Sequence, residues 1–332
     1  MAQTEPVKIA FTPAVYEHAA RFVGRTPWEV SRDAELLFAA HRAAWLEYRH
    51  QVLTVGIDIY NLEAEAYGAV IEKPDGNGIP AVHQPLLASL DDNLPVFECG
   101  GRIPMTIAVG QRLKRELPEA DVRVPVAGPF SIAFNLLGIN ALCEDAALEP
   151  EKTARLLWRL AENQAGFFRA IAAAGLDVAF FESAAAPPLL SPRQFHELEL
   201  PALKRVLAIA VECVGHPVPC IMGGNTFPIL DDLLATGTGF LICNVETDQR
   251  AFVERVARTH PHVTVRVNMD AGVVVCNDRA RIRREVDRIL AFAGGRPRCV
   301  LGTGALPFET PTENIRFIRE YVANSSPGRP SR

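Results

Sequence analysis

Three features of the 332-residue sequence predict an α/β fold built as a single (β/α)8 barrel. From about residue 120 onward, short β-branched apolar runs alternate with longer helical patterns, as in βα units wound around a parallel sheet. About eight such runs can be counted along the whole chain, the number a closed barrel needs. No G-x-G-x-x-G follows the first run and no P-loop motif occurs, so the runner-up, a doubly wound open sheet, loses its usual support.

In chain order, FTPAVYEHAARFVGRTPWEV (11–30) reads as an N-terminal helical extension, LTVGIDIY (53–60) as the first strand and VIEK (70–73) as a short one. Lys73 to Pro104, rich in Pro, Gly and Asp, is an excursion over the barrel mouth, either a lid or a plain surface insertion. Six further strands are VRVPVAG (122–128), LDVAFFES (176–183), VPCIMGGN (218–225), GFLICNVE (239–246), HVTVRVNMD (262–270) and RCVLGTG (298–304). Between them one helix runs from Pro150 to Gly175, following the preference for proline at the entrance and glycine past the exit. Thr226 can cap PILDDLLAT, Asp278 opens RARIRREVDRILAFA, and Thr310-Pro311-Thr312-Glu313 reads as a capping box. The organisation is one barrel domain over residues 1–325, with a disordered tail at 326–332.

Composition narrows the function classes. With 48% hydrophobic and 22% charged residues the chain is of the globular type. No apolar run approaches the roughly 20 residues of a membrane span, and MAQTEPVK lacks a signal-peptide core, so the expected compartment is the cytoplasm. Seven scattered cysteines contain no C-x-x-C pair and read as reduced core residues. A net charge of −5 without a basic block argues against nucleic acid and membrane partners and leaves a small-molecule substrate.

In such a barrel chemistry gathers at the C-terminal ends of the strands. Those positions hold Asp58, Glu63 and Glu65, then Ser131, Glu182, Ser183, Asn225, Asn244, Glu246, Asn268, Asp270, Thr303 and Glu309. Glu182 stands out because it follows VAFF in a strand that should be buried, and a buried carboxylate needs a partner or a role. Asp270, Asn225 and Asn244 equally suit local turn and cap bonding. His18 and His83 lie in loop-like contexts, whereas His41, His50, His196, His216, His260 and His262 read as helix surface or turn residues. No Ser-His-Asp order, nucleophile elbow, H-E-x-x-H or redox cysteine pair can be assembled. A mouth of carboxylates and amides suits a polar or cationic ligand, or proton transfer.

Several stretches together resemble one family: GIDIYNLEAEAYGA (56–69), VPVAGPFSIAFNLLG (124–138), the block from Gly175 that contains FFESAAAPPLLSPRQFHELELPALK, GGNTFPILDDLLATG (223–237), VNMDAGVVV (267–275) and GTGALPFETPTENIRFI (302–318). In this order they resemble the uroporphyrinogen decarboxylase superfamily, and within it the cobamide-dependent methyltransferase branch. The resemblance implies that superfamily's (β/α)8 barrel. In the zinc-dependent members of that branch a His-Cys-Cys site makes an acceptor thiolate. The resemblance sets Ile221 and Gly223 where the histidine and one cysteine belong, and Gly304 where the second cysteine belongs, so no zinc is expected. A one-residue slip would instead offer Cys220 and Met222, which with Gly304 still leaves the site a ligand short. The decarboxylase P-x-W-x-M-R-Q-A-G-R motif is absent; Arg21 and Arg25 imitate only its arginine spacing.

The expectation is thus a zinc-independent methyltransferase-like enzyme without a tightly bound cofactor. It would move a methyl group between a cobamide such as methylcobalamin, free or on a corrinoid protein, and a non-thiol molecule such as a tetrahydropterin. Glu182, Asp58 and Asp270 are the expected catalytic residues, with Glu182 as acid or base. Asn225, Asn268, Glu246, Glu63, Thr303 and His18 are the expected substrate contacts. The alternatives are a lyase that decarboxylates a small or heterocyclic acid and a non-catalytic binder; a homodimer would fit the resemblance.

Overall fold

Runs of Val, Ile, Leu and Phe long enough for a strand but too short for a helix form the inner wall of the computed structural model, which describes residues 9–325. The eight strands are β1 (Ala10–Ala14), β2 (Val52–Thr54), β3 (Asp121–Ala127), β4 (Asp177–Phe181), β5 (Cys220–Ile221), β6 (Phe240–Cys243), β7 (Thr264–Met269) and β8 (Cys299–Ala305). They lie side by side in the order β1-β8-β7-β6-β5-β4-β3-β2, every pair parallel. Helices cover the outside, giving the expected barrel; among the described residues no ladder joins β1 to β2, which leaves a seam there. The expected tail at 326–332 lies outside the described residues.

The list of strands needs one exchange. Ile71–Glu72, within VIEK, pairs antiparallel with Ala81–Val82 in a small hairpin off the barrel. The eighth barrel strand is instead β1, inside the stretch read as a helical extension; the helices of that stretch follow it and carry the chain to β2. Pro13 hides this strand from a propensity reading. It has no N–H to donate, and the pairing with β8 shifts register between Thr12 and Ala14 around it.

Three helix readings also change. The segment after Pro150 is two helices, Pro150–Asn163 and Ala165–Ala173, which meet at the buried Gln164. Thr226 makes no cap bond; a short 3-10 turn, Phe227–Ile229, precedes the helix Leu230–Leu234. The helix Thr312–Asn324 starts without a side-chain cap, and the Thr310 hydroxyl is buried with no hydrogen-bond partner among the described residues. Asp278 behaves as expected, accepting from the N–H groups of Ala280 and Arg281 at the head of Arg279–Ala293.

The excursion from Lys73 to Pro104 packs on the C-terminal side of β2 and β3. Asn61 Nδ2 donates to Pro80 O at 2.7 Å, and Leu87 N donates to Leu136 O at 2.9 Å. No helix among the described residues is long and apolar enough to cross a membrane.

Candidate active site

Strand parity decides which end-of-strand residues can meet in the barrel interior. Ala14, Tyr16, Ile59, Ala179 and Phe181 form one small inward-facing cluster, with Ile221 packed against it. Phe180 and Cys220, one residue away on their strands, belong to the larger core between strands and helices.

A polar arc crosses the interior above this apolar floor. Arg266 and Asn268 are two residues apart on β7, and Arg266 Nε donates to Asn268 Oδ1 at 3.1 Å. Asn268 Nδ2 donates to Asn244 Oδ1 at 2.8 Å, and Asn244 Nδ2 donates to the carbonyl of Met222 at 3.0 Å. Behind them Gln249 Nε2 donates to the carbonyl of Asn268 at 2.8 Å, and Arg288 donates to Gln249 Oε1. On the other side of Arg266 stands the Tyr16 hydroxyl, within its hydrogen-bonding reach. The rings of Tyr16 and Tyr60 both meet Phe181 edge-on, at 5.8 and 5.7 Å. Ser183 Oγ donates to Tyr60 Oη at 3.1 Å.

Glu17, next to Tyr16, is 5% exposed, and burial raises its pKa to about 7, with a small contribution from the charge of Glu309. Its charge is felt by both Tyr16 and Tyr60, which sets it beside the arc. A carboxyl half protonated near neutral pH can take or give a proton without a large driving-force penalty.

Of the residues expected from the sequence, Asn268 lies in the arc together with Asn244. Glu182 does not face the interior: Phe181 points inward, so its neighbour points toward the helices. There it accepts from Phe130 N, Ser131 N and Ser131 Oγ at 3.1, 3.0 and 2.6 Å, at the N-terminus of the helix Pro129–Leu137. A Cβ on Gly128 would fall 2.0 Å from Glu182 Oε2, so glycine is what lets the carboxylate dock on this helix end. Glu199 lies against it, brought there by a π-turn over Phe195–Glu199 just ahead of Pro201, whose missing N–H disrupts the α ladder. Burial raises both carboxyls: Glu182 to about 7, held there by bonds from Ser131, Glu199 and the helix N–H groups, and Glu199 well above the usual carboxylate range, pushed further by the charge of Glu182, so the shared proton resides on Glu199.

The other expected residues lie outside the arc, and all but Glu246 are bonded to protein groups. Asp58 accepts both Nη groups of Arg102, at 2.6 and 2.7 Å, and Glu65 accepts Arg102 Nε at 2.6 Å. Glu63 is fully buried, accepts from Ala127 N at 2.7 Å and is pushed by burial to about 8. Thr303 Oγ1 accepts from Ala14 N where β1 shifts register. Asp270 caps Ala271–Val275 through Val273 N, and Asn225 accepts from Phe227 N. Glu246 is exposed. Buried His18 bonds Tyr48 Oη and Pro307 O, and burial lowers its pKa to about 4.

Sequence reasoning passed over Arg266, Tyr16, Tyr60 and Glu17. The available signal was an arginine in the middle of the apolar run HVTVRVNMD, two residues before an asparagine already singled out.

The zinc-ligand positions hold no donor set. Cys220 faces the carboxyls Glu182 and Glu199, and burial together with those charges pushes its thiol far up, away from the thiolate a metal needs. Met222 is buried, and among the described residues no group of three or more His, Cys, Asp or Glu side chains is arranged to hold a metal ion. These residues do not fit a His-Cys-Cys zinc.

Comparison with known proteins gives three findings. The profile of the family described as Uroporphyrinogen decarboxylase (URO-D) matches residues 3–325. A methyltransferase from Methanosarcina mazei superposes with a TM-score of 0.80 at 20% identity, covering 96% of this chain and 95% of that one. A B12-independent methionine synthase from Shewanella sp. W3-18-1, solved with selenomethionine, superposes with a TM-score of 0.58 at 12% identity, covering 88% of this chain and 87% of that one. At these identities the likeness concerns the fold. No curated protein matches the sequence.

Proposed function

The chain belongs to the uroporphyrinogen decarboxylase family, and from that premise we propose that it is a methyltransferase-like enzyme acting on a small non-thiol molecule at the barrel mouth. The observation that supports this reading is the arc of neutral donors and one arginine above the apolar floor, together with Ile221, Gly223 and Gly304 standing where the resemblance sets the ligands of a thiol-activating zinc. With no zinc-ligand set to make a thiolate, a hydroxyl or amine acceptor gives up its proton as the methyl group arrives, and Glu17 with a pKa near 7 is the group to receive it. Asn268, Asn244, Tyr16 and Tyr60 orient the molecule, and positioning of this kind supplies a large part of a rate enhancement. A methylated corrinoid, free or protein-bound, is the co-substrate in this reading: its methyl group would pass to the acceptor as a cation equivalent, the Co–C electron pair would stay on cobalt as the cobalt(I) corrinoid, and the acceptor's proton would go to Glu17; a tetrahydropterin is a suitable non-thiol partner.

The first experiment mixes the protein with methylcobalamin and tetrahydropterin or other amine and hydroxyl acceptors while the cobalt absorbance is followed. Demethylation of the cobamide is expected, with Glu17→Gln slower by a factor of about 10² or more at equal or higher Tm, since the variant also loses the cost of ionising a buried carboxyl. Absence of any spectral change with every non-thiol acceptor sinks the reading. A lyase is the second reading, favoured by the proton that Glu17 holds near neutral pH; carbon dioxide release from a supplied acid, lost in Glu17→Gln, would replace methyl transfer with it.

A further inference from the structure

Arg266 is a charged side chain inside a barrel wall, and the described residues give it no counter-charge. The residue is 8% exposed, and no carboxylate among the described residues forms an ion pair with it. Burial lowers its proton affinity; its favourable electrostatic neighbours are the hydroxyls of Tyr16 and Tyr60. Burying a guanidinium without a counter-charge works against folding, and such a cost persists where a ligand relieves it.

The surroundings hold the group in place. Gly302 of β8 pairs in register with Asn268, and a Cβ there would fall 2.5 Å from Arg266 Cδ, so β8 leaves out a side chain where the arginine crosses it. Nε is anchored on Asn268 Oδ1, whose orientation is set in turn by Asn244, and the Tyr16 hydroxyl lies within reach of the guanidinium. Among the described residues neither Nη donates to a carboxylate or a backbone carbonyl, and neither is sealed from solvent without a partner. Tyr60 Oη, already accepting from Ser183, keeps its own proton to donate.

We propose that Arg266 is the anchor of an anion subsite for a monocarboxylate, its two Nη groups pairing with the carboxylate and the Tyr16 and Tyr60 hydroxyls flanking it. A planar guanidinium fork matches a carboxylate in shape. One cation with neutral neighbours balances a single negative charge, while Glu17 and the exposed Glu309 nearby oppose a phosphate dianion. The apolar floor of Phe181 and Ile221 fits a carbon body attached to that carboxylate. This assignment rests on the reading of the mouth as a small-molecule site and names its substrate class, whichever bond the enzyme makes.

Binding is measured without turnover, by saturation-transfer NMR and thermal shift on the full chain. The probes are acetate, butyrate, benzoate and phenylacetate, with benzamide and inorganic phosphate as controls at matched ionic strength. At least one carboxylate is expected to bind and raise Tm, with benzamide and phosphate inert. Arg266→Met should weaken that carboxylate tenfold or more while Tm of the free protein stays equal or rises, because the unpaired charge is gone. Arg266→Lys should keep partial binding, since a point charge replaces the fork. Equal binding of benzamide, preference for phosphate, no binding by any of the four carboxylates, or undiminished binding in Arg266→Met overturns the proposal. So does a large drop in Tm of Arg266→Met, which would make the arginine a structural element. Failure of methyl transfer leaves a positive result intact, and methyl transfer without carboxylate binding removes only this assignment.

Discussion

Asp58 illustrates how a residue at the right address can be engaged in another task. Both its oxygens accept from Arg102, and Asn61 Nδ2 adds a bond at 3.1 Å, so the carboxylate holds the long excursion onto the barrel. Asp58→Asn is expected to lose about 3 kcal/mol in urea unfolding, the low end for breaking a buried pair because Glu65 still holds Arg102 Nε. An unchanged midpoint together with lost activity would return Asp58 to the reaction. The same residue-level logic explains what could be read of the site. The burial of Glu182 is legible from VAFF before it, but its direction is not, since a shift of one position reverses the face of every side chain on a strand. Arg266 escaped for the complementary reason: nothing in a run of residues says that a charge in a strand points to a cavity rather than to the surface. The arc becomes visible only when β1, β2, β4, β6 and β7 bring Tyr16, Tyr60, Phe181, Asn244 and Arg266 around one axis.

At the scale of elements, the strands buried on both faces were the readable ones, because their near-continuous Val, Ile and Phe content has no other use. Strand β1 was not, with Pro13 inside it and a partner on one side only. Helix starts divide in the same way. Asp278 is exposed at a chain reversal, where its carboxylate competes with nothing but water for the free N–H groups. Thr310 carries the same kind of signature, yet Thr310 N bonds Pro307 O in a turn and the hydroxyl is enclosed without a partner among the described residues. Thr310→Val should therefore leave the thermal midpoint unchanged or raise it, by up to about 1 kcal/mol in unfolding free energy, as an unsatisfied hydroxyl is exchanged for a methyl of similar shape. A genuine cap at this position would instead cost about 1 kcal/mol on loss of its oxygen. Scanning calorimetry of the variant separates the two.

The whole molecule carries two opposed sets of buried titratable groups. His18 and His41 are lowered by burial to about 4 and His50 to about 3, from an ordinary 6.5. The sequence placed the latter two at helix surfaces or turns; both are inside, and His41 Nε2 accepts from Gly56 N at 3.0 Å, a bond that protonation would abolish. Between about pH 6.5 and 4 the unfolded chain takes up protons that the folded chain refuses, so stability falls as pH drops through that window. Glu63 at about 8, Glu17 and Glu182 at about 7 and the strongly raised Glu199 act with the opposite sign. Their folded forms keep protons that unfolded glutamates release from about pH 4.5 upward, so stability falls as pH rises from there to about 8. Each group contributes a slope of about 1.4 kcal/mol per pH unit within its window. From about pH 4.5 to 6.5 the two sets overlap and cancel in part, four carboxyls against three histidines, leaving a shallow fall as pH rises; of these buried groups only the carboxyls act above that range and only the histidines below it. Urea midpoints are expected to be highest near pH 4.5–5.5 and to decline on both sides, more steeply above about pH 6.5. Glu63→Gln keeps the acceptor for Ala127 N, removes the ionisation and should take about 1.4 kcal/mol per pH unit out of the alkaline decline while leaving the acid decline unchanged. A stability maximum at pH 8 in the parent protein, or an alkaline decline identical in the variant, would mean that these carboxyls ionise within the fold at little cost.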